Sequence, residues 1–239
     1  MPVKENIRKM FDNISGDYDS LNHLMSFNID KGWRRRALRQ VLDIPQGHDS
    51  PWKVLDIACG TGDFAIATAK AMKKKGIPGH VTGADISDGM LDVMRRKIDR
   101  LALKDIVSAE KGDCEDLSYA EGSFDRVTVA FGVRNFEKRE TALLEVLRVL
   151  RPGGRFVMLE LSLPTDPFLR WLYDSYFFTV SKLGGIISGN KASYRYLHES
   201  VVRFPKPQEW IPFMESCGLR NVSQRSLSLG ICRLYTGEK

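Results

Sequence analysis

The stretch Val54-Leu55-Asp56-Ile57-Ala58-Cys59-Gly60-Thr61-Gly62-Asp63 constrains this chain more than any other. It begins as a short apolar run with β-branched residues. It ends in two glycines one residue apart, and a helical pattern follows from Phe64. Strand, glycine turn, helix is the opening unit of a nucleotide-type βαβ fold. Glycine permits the sharp bend and leaves no Cβ between the backbone and a ligand.

The charges around the loop narrow the ligand. A dinucleotide site seats an anionic pyrophosphate on the helix N-terminus. Here the spacing is kept, with Ala65 at the third glycine position, but Asp63 stands at the helix entrance and Asp56 just before the loop. Two carboxylates there repel a pyrophosphate and suit a ligand with a positive group, such as an ammonium or a sulfonium. S-adenosylmethionine has both. The alternative is that Asp63 only caps its helix and Asp56 is a buried hydrogen-bonding residue.

The rest of the chain repeats the unit. Strands are predicted at 54–59, 80–86, 106–112, 124–131 and 155–162, with helices at 63–74, from Ser87 to about 101, and through Ala142, Leu143, Val146, Leu147 and Leu150. Arg151-Pro152-Gly153-Gly154 stops that last helix. Such alternation calls for a parallel sheet with helices on both faces. Helices at 4–14 and 21–42 precede it, with Asp17, Asp19, Asn22 and His23 between them, and a polar linker runs from Pro45 to Pro51. The alternation fails at Pro164. Residues 166–203 are aromatic-rich and helical, with glycine breaks, and read as an insertion over the carboxyl ends of the strands. A helix at 207–217 and strands at 219–227 and 229–236 finish the sheet. The expected organisation is a single domain, 1–239: a helical cap (1–50), a cofactor-binding core (51–163), the insertion (164–206) and a closing helix and strands (207–239).

With 43% hydrophobic and 28% charged residues, the chain reads as soluble and globular. Cys59, Cys114, Cys217 and Cys232 lie far apart without C-x-x-C spacing, which argues against a metal site and a disulfide framework and fits a reducing cytoplasm. The first twenty residues have no apolar h-region, so no signal peptide is expected. Phe168 to Ile187 is interrupted by Arg170, Asp174 and Lys182, too much for a spanning helix. Trp33-Arg34-Arg35-Arg36 with Arg39 makes a basic helix, read as a solvated face or as a contact for lipid headgroups. The net charge of +6 is weak evidence for an anionic partner such as a membrane surface or RNA, and no dedicated basic domain accompanies it, so no nucleic-acid partner is expected.

Asp56, Asp85 and Asp113 fall near the ends of strands one, two and three, where doubly wound sheets bind ligands. For an adenosyl ligand, Asp85 is placed to accept from both ribose hydroxyls. Asp113 is placed to accept from the adenine amino group, and Cys114 to donate its N–H to the ring. Each alone reads equally as a helix cap or turn residue. All three together, beside an acidic glycine loop, form a constellation.

At this point the chain resembles the class I S-adenosylmethionine-dependent methyltransferases, and within them the demethylmenaquinone and ubiquinone-precursor C-methyltransferases. The resemblance spans almost the whole chain. It rests on Tyr18-Asp19-Ser20-Leu21-Asn22, the glycine loop, Phe131-Gly132-Val133-Arg134-Asn135, Arg148 to Gly154, and Tyr194-Arg195-Tyr196-Leu197-His198-Glu199-Ser200. One departure is Phe27-Asn28-Ile29-Asp30, where a glycine is expected after Met25-Ser26. The resemblance implies a Rossmann-like α/β fold with a seven-stranded, mostly parallel sheet. It implies that Thr61, Asp85, Asp113 and Cys114 contact S-adenosylmethionine, and the loop's own pattern adds Asp56, Gly60 and Gly62 as candidate cofactor residues.

The implied reaction moves a methyl from sulfonium to a ring carbon of a prenylated hydroquinone, with no metal. Alignment in a dry site does much of the work, and a phenolate beside the attacking carbon needs stabilising. Arg134 is the expected cation, or else a structural arginine paired with an acid. Asn135 orients a hydroxyl. His198 is the candidate base by its ordinary pKa, or a packing residue. Tyr194 and Tyr196 line the substrate pocket or the core. The aromatic run Trp171, Tyr173, Tyr176, Phe177 and Phe178 suits an isoprenoid tail, a membrane face or ordinary core. The expected setting is the cytoplasm, with peripheral contact at the inner membrane face, and the reading leaves room for a homodimer. A nicotinamide dehydrogenase, an RNA methyltransferase and a non-catalytic quinone carrier are the rival readings.

Overall fold

The computed structural model describes residues 4–16, 18, 28–44, 51–175 and 191–239, the last segment with side chains from Arg195 onward. Asp17, Asp19, Asn22, His23, most of the 45–51 linker, Tyr176, Phe177, Phe178 and the glycine breaks of the insertion lie outside these residues, as does the side chain of Tyr194.

Helices α1 (Lys4–Ile14) and α2 (Ile29–Val41) precede the core. Strand β1 (Trp52–Ile57) leads to α3 (Asp63–Lys75), β2 (Gly79–Asp85) to α4 (Asp88–Arg100), then β3 (Val107–Lys111) and β4 (Phe124–Ala130). A short 3-10 turn, Val133–Asn135, precedes α5 (Arg139–Val149) and β5 (Leu150–Leu161). Residues 167–175 are helical, followed among the described residues by α6 (Lys191–Arg203), α7 (Pro207–Ser216), β6 (Arg220–Leu227) and β7 (Cys232–Glu238). The sheet order is β3-β2-β1-β4-β5-β7-β6. The first five strands are parallel, and β7 runs antiparallel between β5 and β6. This is the seven-stranded, mostly parallel sheet read from the sequence, with its order reversal between β1 and β4, where such sheets bind ligands.

The period-two alternation of the strands builds two apolar layers. Trp52 and Val54 of β1, and Val157 and Leu159 of β5, pack with Trp33, Ala37, Met72 and Ile98 on one face. Leu55 and Ile57, with Phe156 and Met158, pack with Leu143, Val146, Trp210 and Met214 on the other. Strands buried on both faces explain why their sequences read as near-continuous apolar runs.

Two features are sharper in the structure than in the sequence reading. The Pro152-Gly153-Gly154 turn does not separate helix from strand: α5 ends at Val149 and β5 begins at once. The turn instead bulges inside β5, whose register passes from Phe124 opposite Leu150 to Arg126 opposite Arg155. Gly153 sits at φ +74, a left-handed conformation that favours glycine. The basic helix also divides. Trp33, Ala37 and Val41, four residues apart, are buried, while Arg35, Arg36 and Arg39 are exposed. Those three form a solvated face, but Arg34 turns inward.

Candidate functional site

The glycine loop leaves β1 through left-handed residues Ala58, Gly60 and Gly62. Its two glycines do different jobs. A Cβ on Gly62 would collide with the Met94 side chain of α4, so Gly62 lets the loop lie against that helix. A Cβ on Gly60 would meet nothing within 4 Å, so Gly60 leaves its side of the loop open. Asp85, at the end of β2, ties the loop down: its Oδ2 accepts from the Gly60 N–H at 2.8 Å and its Oδ1 from the Ser87 N–H at 2.9 Å. Burial raises the Asp85 pKa against these hydrogen bonds. Ser87 caps α4 as read from the sequence, accepting from the Met90 N–H at 3.2 Å.

Two adjoining cavities open on this loop. The larger, about 700 Å³ with its mouth, is lined by Gly60, Asp85, Met90, Asp113, Cys114 and Asn135, and by Lys4, Ile7 and Phe11 of α1. The smaller, about 390 Å³, is lined by Arg34, Asp56, Thr61, Asp63 and Phe64. Tyr18, Ala58, Gly60, Ala130 and Phe131 line both. All seven predicted cofactor residues except Gly62 line one of them, and Gly62 supports the loop from behind.

Asp56 is fully buried and accepts from the Thr128 hydroxyl at 2.7 Å. Burial pushes its pKa up to about 7, opposed by the hydrogen bonds from Thr128 and Ala65 and by the Arg34 charge, and reinforced by Asp85. A carboxyl with a pKa raised by folding loses its stabilising contribution as pH rises from the unfolded value towards the folded one. Asp56→Asn cannot ionise. The variant should therefore melt higher than the parent by a margin that grows from about pH 4 to about pH 7 and is flat above. Thermal melts at stepped pH check this, and a margin independent of pH would place the Asp56 ionisation elsewhere. An acid kept at such a cost to stability is a mark of a binding site.

Asp63 does not cap its helix. Gly62 is the cap residue, without a side chain, and Asp63 opens the first turn. It pairs instead with Lys97 at 2.8 Å, which also donates to the Thr61 hydroxyl at 3.1 Å. At the other end of the site, Asp113 accepts from Lys4 at 2.6 Å and from the Glu115 N–H at 2.9 Å. Burial alone would lower the Lys4 pKa, and the hydrogen bonds to Asp113 and Glu115 outweigh it and raise it. Asp12 of α1 accepts from the Ser87 hydroxyl at 2.6 Å and the Gly89 N–H at 3.1 Å. Helix α1, part of the expected helical cap, is thereby fixed as a wall of the larger cavity, through Lys4 and Asp12, which its sequence does not single out. Cys114 lines that cavity as a thiol whose pKa burial raises well above the ordinary value.

The catalytic candidates separate. Asn135 lines the larger cavity, and its Oδ1 accepts from the Tyr196 hydroxyl at 2.8 Å, so these two are brought together. Burial raises the Tyr196 pKa and keeps that hydroxyl a donor. Arg134 is not among the described residues lining either cavity. Its Nη1 donates to Glu160 Oε1 at 2.6 Å and to the Phe131 carbonyl, and its Nε donates to the Ser200 hydroxyl at 3.2 Å. Burial would lower the Arg134 pKa, and the Glu160 charge outweighs it and raises it. The geometry is that of the paired arginine, joining β5, the 3-10 turn and α6. His198 is partly exposed, with Nε2 4.0 Å from Asp174, and it too lies outside the described lining of both cavities.

Fold and site together define a class of protein. A solved methyltransferase of Thermotoga maritima, titled as S-adenosylmethionine-dependent and as a possible histamine N-methyltransferase, superposes with a TM-score of 0.62 at 19% identity. The match covers 97% of this chain and 99% of that one, and it makes the fold Rossmann-like, of the class I methyltransferase type. The sequence is more specific. The model of the ubiE/COQ5 methyltransferase family matches residues 2–239, and the chain belongs to that family. A protein of Geotalea daltonii named ubiquinone/menaquinone biosynthesis C-methyltransferase UbiE is 38% identical, over 98% of this chain and 97% of its own length. One of Bacteroides fragilis named demethylmenaquinone methyltransferase is 37% identical, over 98% and 93%.

Proposed function

We propose that this methyltransferase binds S-adenosylmethionine across the two cavities and methylates a ring carbon of a prenylated hydroquinone, a demethylated naphthoquinol in the first instance. The observation that carries the reading is the acid-lined glycine-loop cavity with Asn135 fixed in its wall, in a chain of this family. The residues fit the cofactor chemically. Gly60 leaves an open cradle, Asp85 faces the larger cavity with lone pairs for ribose hydroxyls, and Asp56 offers a carboxylate to an ammonium. When bound, the cofactor supplies a methyl group already activated on sulfonium.

The chain's own residues then bind, orient and exclude water. Because Asn135 accepts from Tyr196 through Oδ1, its Nδ2 group is left to donate. We assign that group to the substrate oxygen that becomes phenolate, where a preorganised donor counts most. Thr61, Asp113 and Cys114 are assigned to the cofactor, and Tyr196 acts through Asn135. Arg134 and His198 are not assigned a contact with the reacting atoms.

No helix of the described residues is long and apolar enough to cross a membrane, yet the substrate's prenyl tail favours lipid. Phe168 and Trp171 stack at 6.1 Å, are 65% and 62% exposed, and share a helix face with Leu172. Such a face suits reversible insertion into the headgroup boundary. Arg35, Arg36 and Arg39 add attraction to anionic lipid, and Arg34, being turned inward, does not.

Methyl transfer from labelled cofactor to each reduced precursor, embedded in anionic vesicles, tests the whole reading. The naphthoquinol ring is expected to take the label, and Trp171→Ser should lose activity on vesicles while keeping it on a short-tailed soluble quinol. Label on the benzoquinol alone would favour the second reading, suggested by the double name of the Geotalea relative. Label on neither would overturn both.

A further inference from the structure

Arg34 is the member of the basic helix that solvation does not explain. Its side chain is 13% exposed, lies over the Phe131 ring at 5.5 Å, and lines the smaller cavity with Asp56 and Asp63. Its Nη1 pairs with buried Asp30, one turn back on α2. The other edge of the guanidinium is less committed. Nη2 stands 3.7 Å from Asp63, and Nε is buried with no hydrogen-bond partner among the described residues. Nε and Nη2 form the edge on which a guanidinium grips a carboxylate with two parallel bonds. An orphaned buried donor costs free energy until an acceptor meets it.

The smaller cavity therefore holds two acids and one cation. An amino acid carries both charges, and this lining matches both: Asp56 for the ammonium, Arg34 for the carboxylate. We propose that Arg34, reaching in from α2, binds the α-carboxylate of the cofactor's methionyl group, so that the helical cap supplies a cofactor residue and selects an intact amino acid. Asp30 holds the guanidinium in place, and Lys97, at 2.8 Å against 3.7 Å for Arg34 Nη2, is the nearer partner of Asp63. The inference rests on the reading that the cofactor lies across these two cavities.

Calorimetric affinities for S-adenosylmethionine and for its decarboxylated analogue, which keeps sulfonium and ammonium, provide the test. Two charge-assisted hydrogen bonds are at stake, so the parent should prefer the intact cofactor by tenfold or more. Arg34→Gln should weaken intact cofactor by about that factor, leave the analogue nearly unchanged, and so abolish the preference. Arg34→Lys should keep part of it, and Arg35→Gln all of it. A parent without preference, or an Arg34→Gln protein that weakens both ligands alike, would overturn the proposal. If Arg34→Gln does not fold, the parent and Arg34→Lys decide: full preference in the lysine variant would show that the planar fork is not used. Asp85→Ala separates the two claims, because it should weaken both ligands together. If it weakens neither, Asp85 leaves the cofactor site, and the placement of the cofactor across the two cavities fails with it.

Discussion

Arg134→Met should lower the melting temperature by on the order of 10 °C. Glu160 has no exposed surface and Arg134 only 7%. Removing one partner of a buried ion pair strands the other charge, at about 3–5 kcal/mol, and each kcal/mol is worth about 2–4 °C in a chain of this size. Glu160 also accepts from the backbone N–H of Arg134 at 3.0 Å and of Leu161 at 2.9 Å, so the stranded charge would distort the turn that carries Asn135. The double variant Arg134→Met/Glu160→Gln should recover part of the loss, because the amide keeps an acceptor without the charge. A guanidinium that stabilises substrate phenolate predicts otherwise: a stable Arg134→Ala protein with normal cofactor affinity and about a hundredfold lower kcat, as when one oxyanion donor is removed, with Arg134→Lys recovering some of it. Melts read beside single-turnover rates separate the two, and a stable Arg134→Ala enzyme of that kind would return Arg134 to the chemistry.

Cofactor affinity should fall about tenfold to a hundredfold in Asp85→Ala. That is the worth of charged hydrogen bonds, about 1.5–3 kcal/mol, converted at 1.4 kcal/mol per tenfold. Asp85 has two duties, since the same carboxylate orders the loop through Gly60 and Ser87. Asp85→Asn keeps one acceptor oxygen and should lose less. Calorimetry on the folded variants measures the effect, and unchanged affinity in Asp85→Ala would remove this residue from the cofactor site.

The sequence by itself determined what depends on short-range pattern. Alternating apolar strands and amphipathic helices fixed the parallel sheet, because hydrogen-bond periodicity decides which residues share a face. The glycine loop, and the acids at the ends of β1, β2 and β3, were legible because chain order in such a fold places strand ends in one row. Family motifs pointed to Asn135 and Tyr196. The tertiary structure alone decided which charges meet. Lys4 reaches Asp113 across 109 positions of sequence, and Arg134 reaches Glu160 across 26. Four arginines of one helix looked alike until packing of Trp33 and Ala37 fixed the rotation of α2, turning Arg34 in and leaving the rest in water. His198 had the residue type of a general base but sits beside Asp174, outside the described lining of the cavities. Local sequence sets the face on which a side chain emerges; only the docking of one element on another sets what that face meets, because burial and charge pairing are properties of the assembled layers.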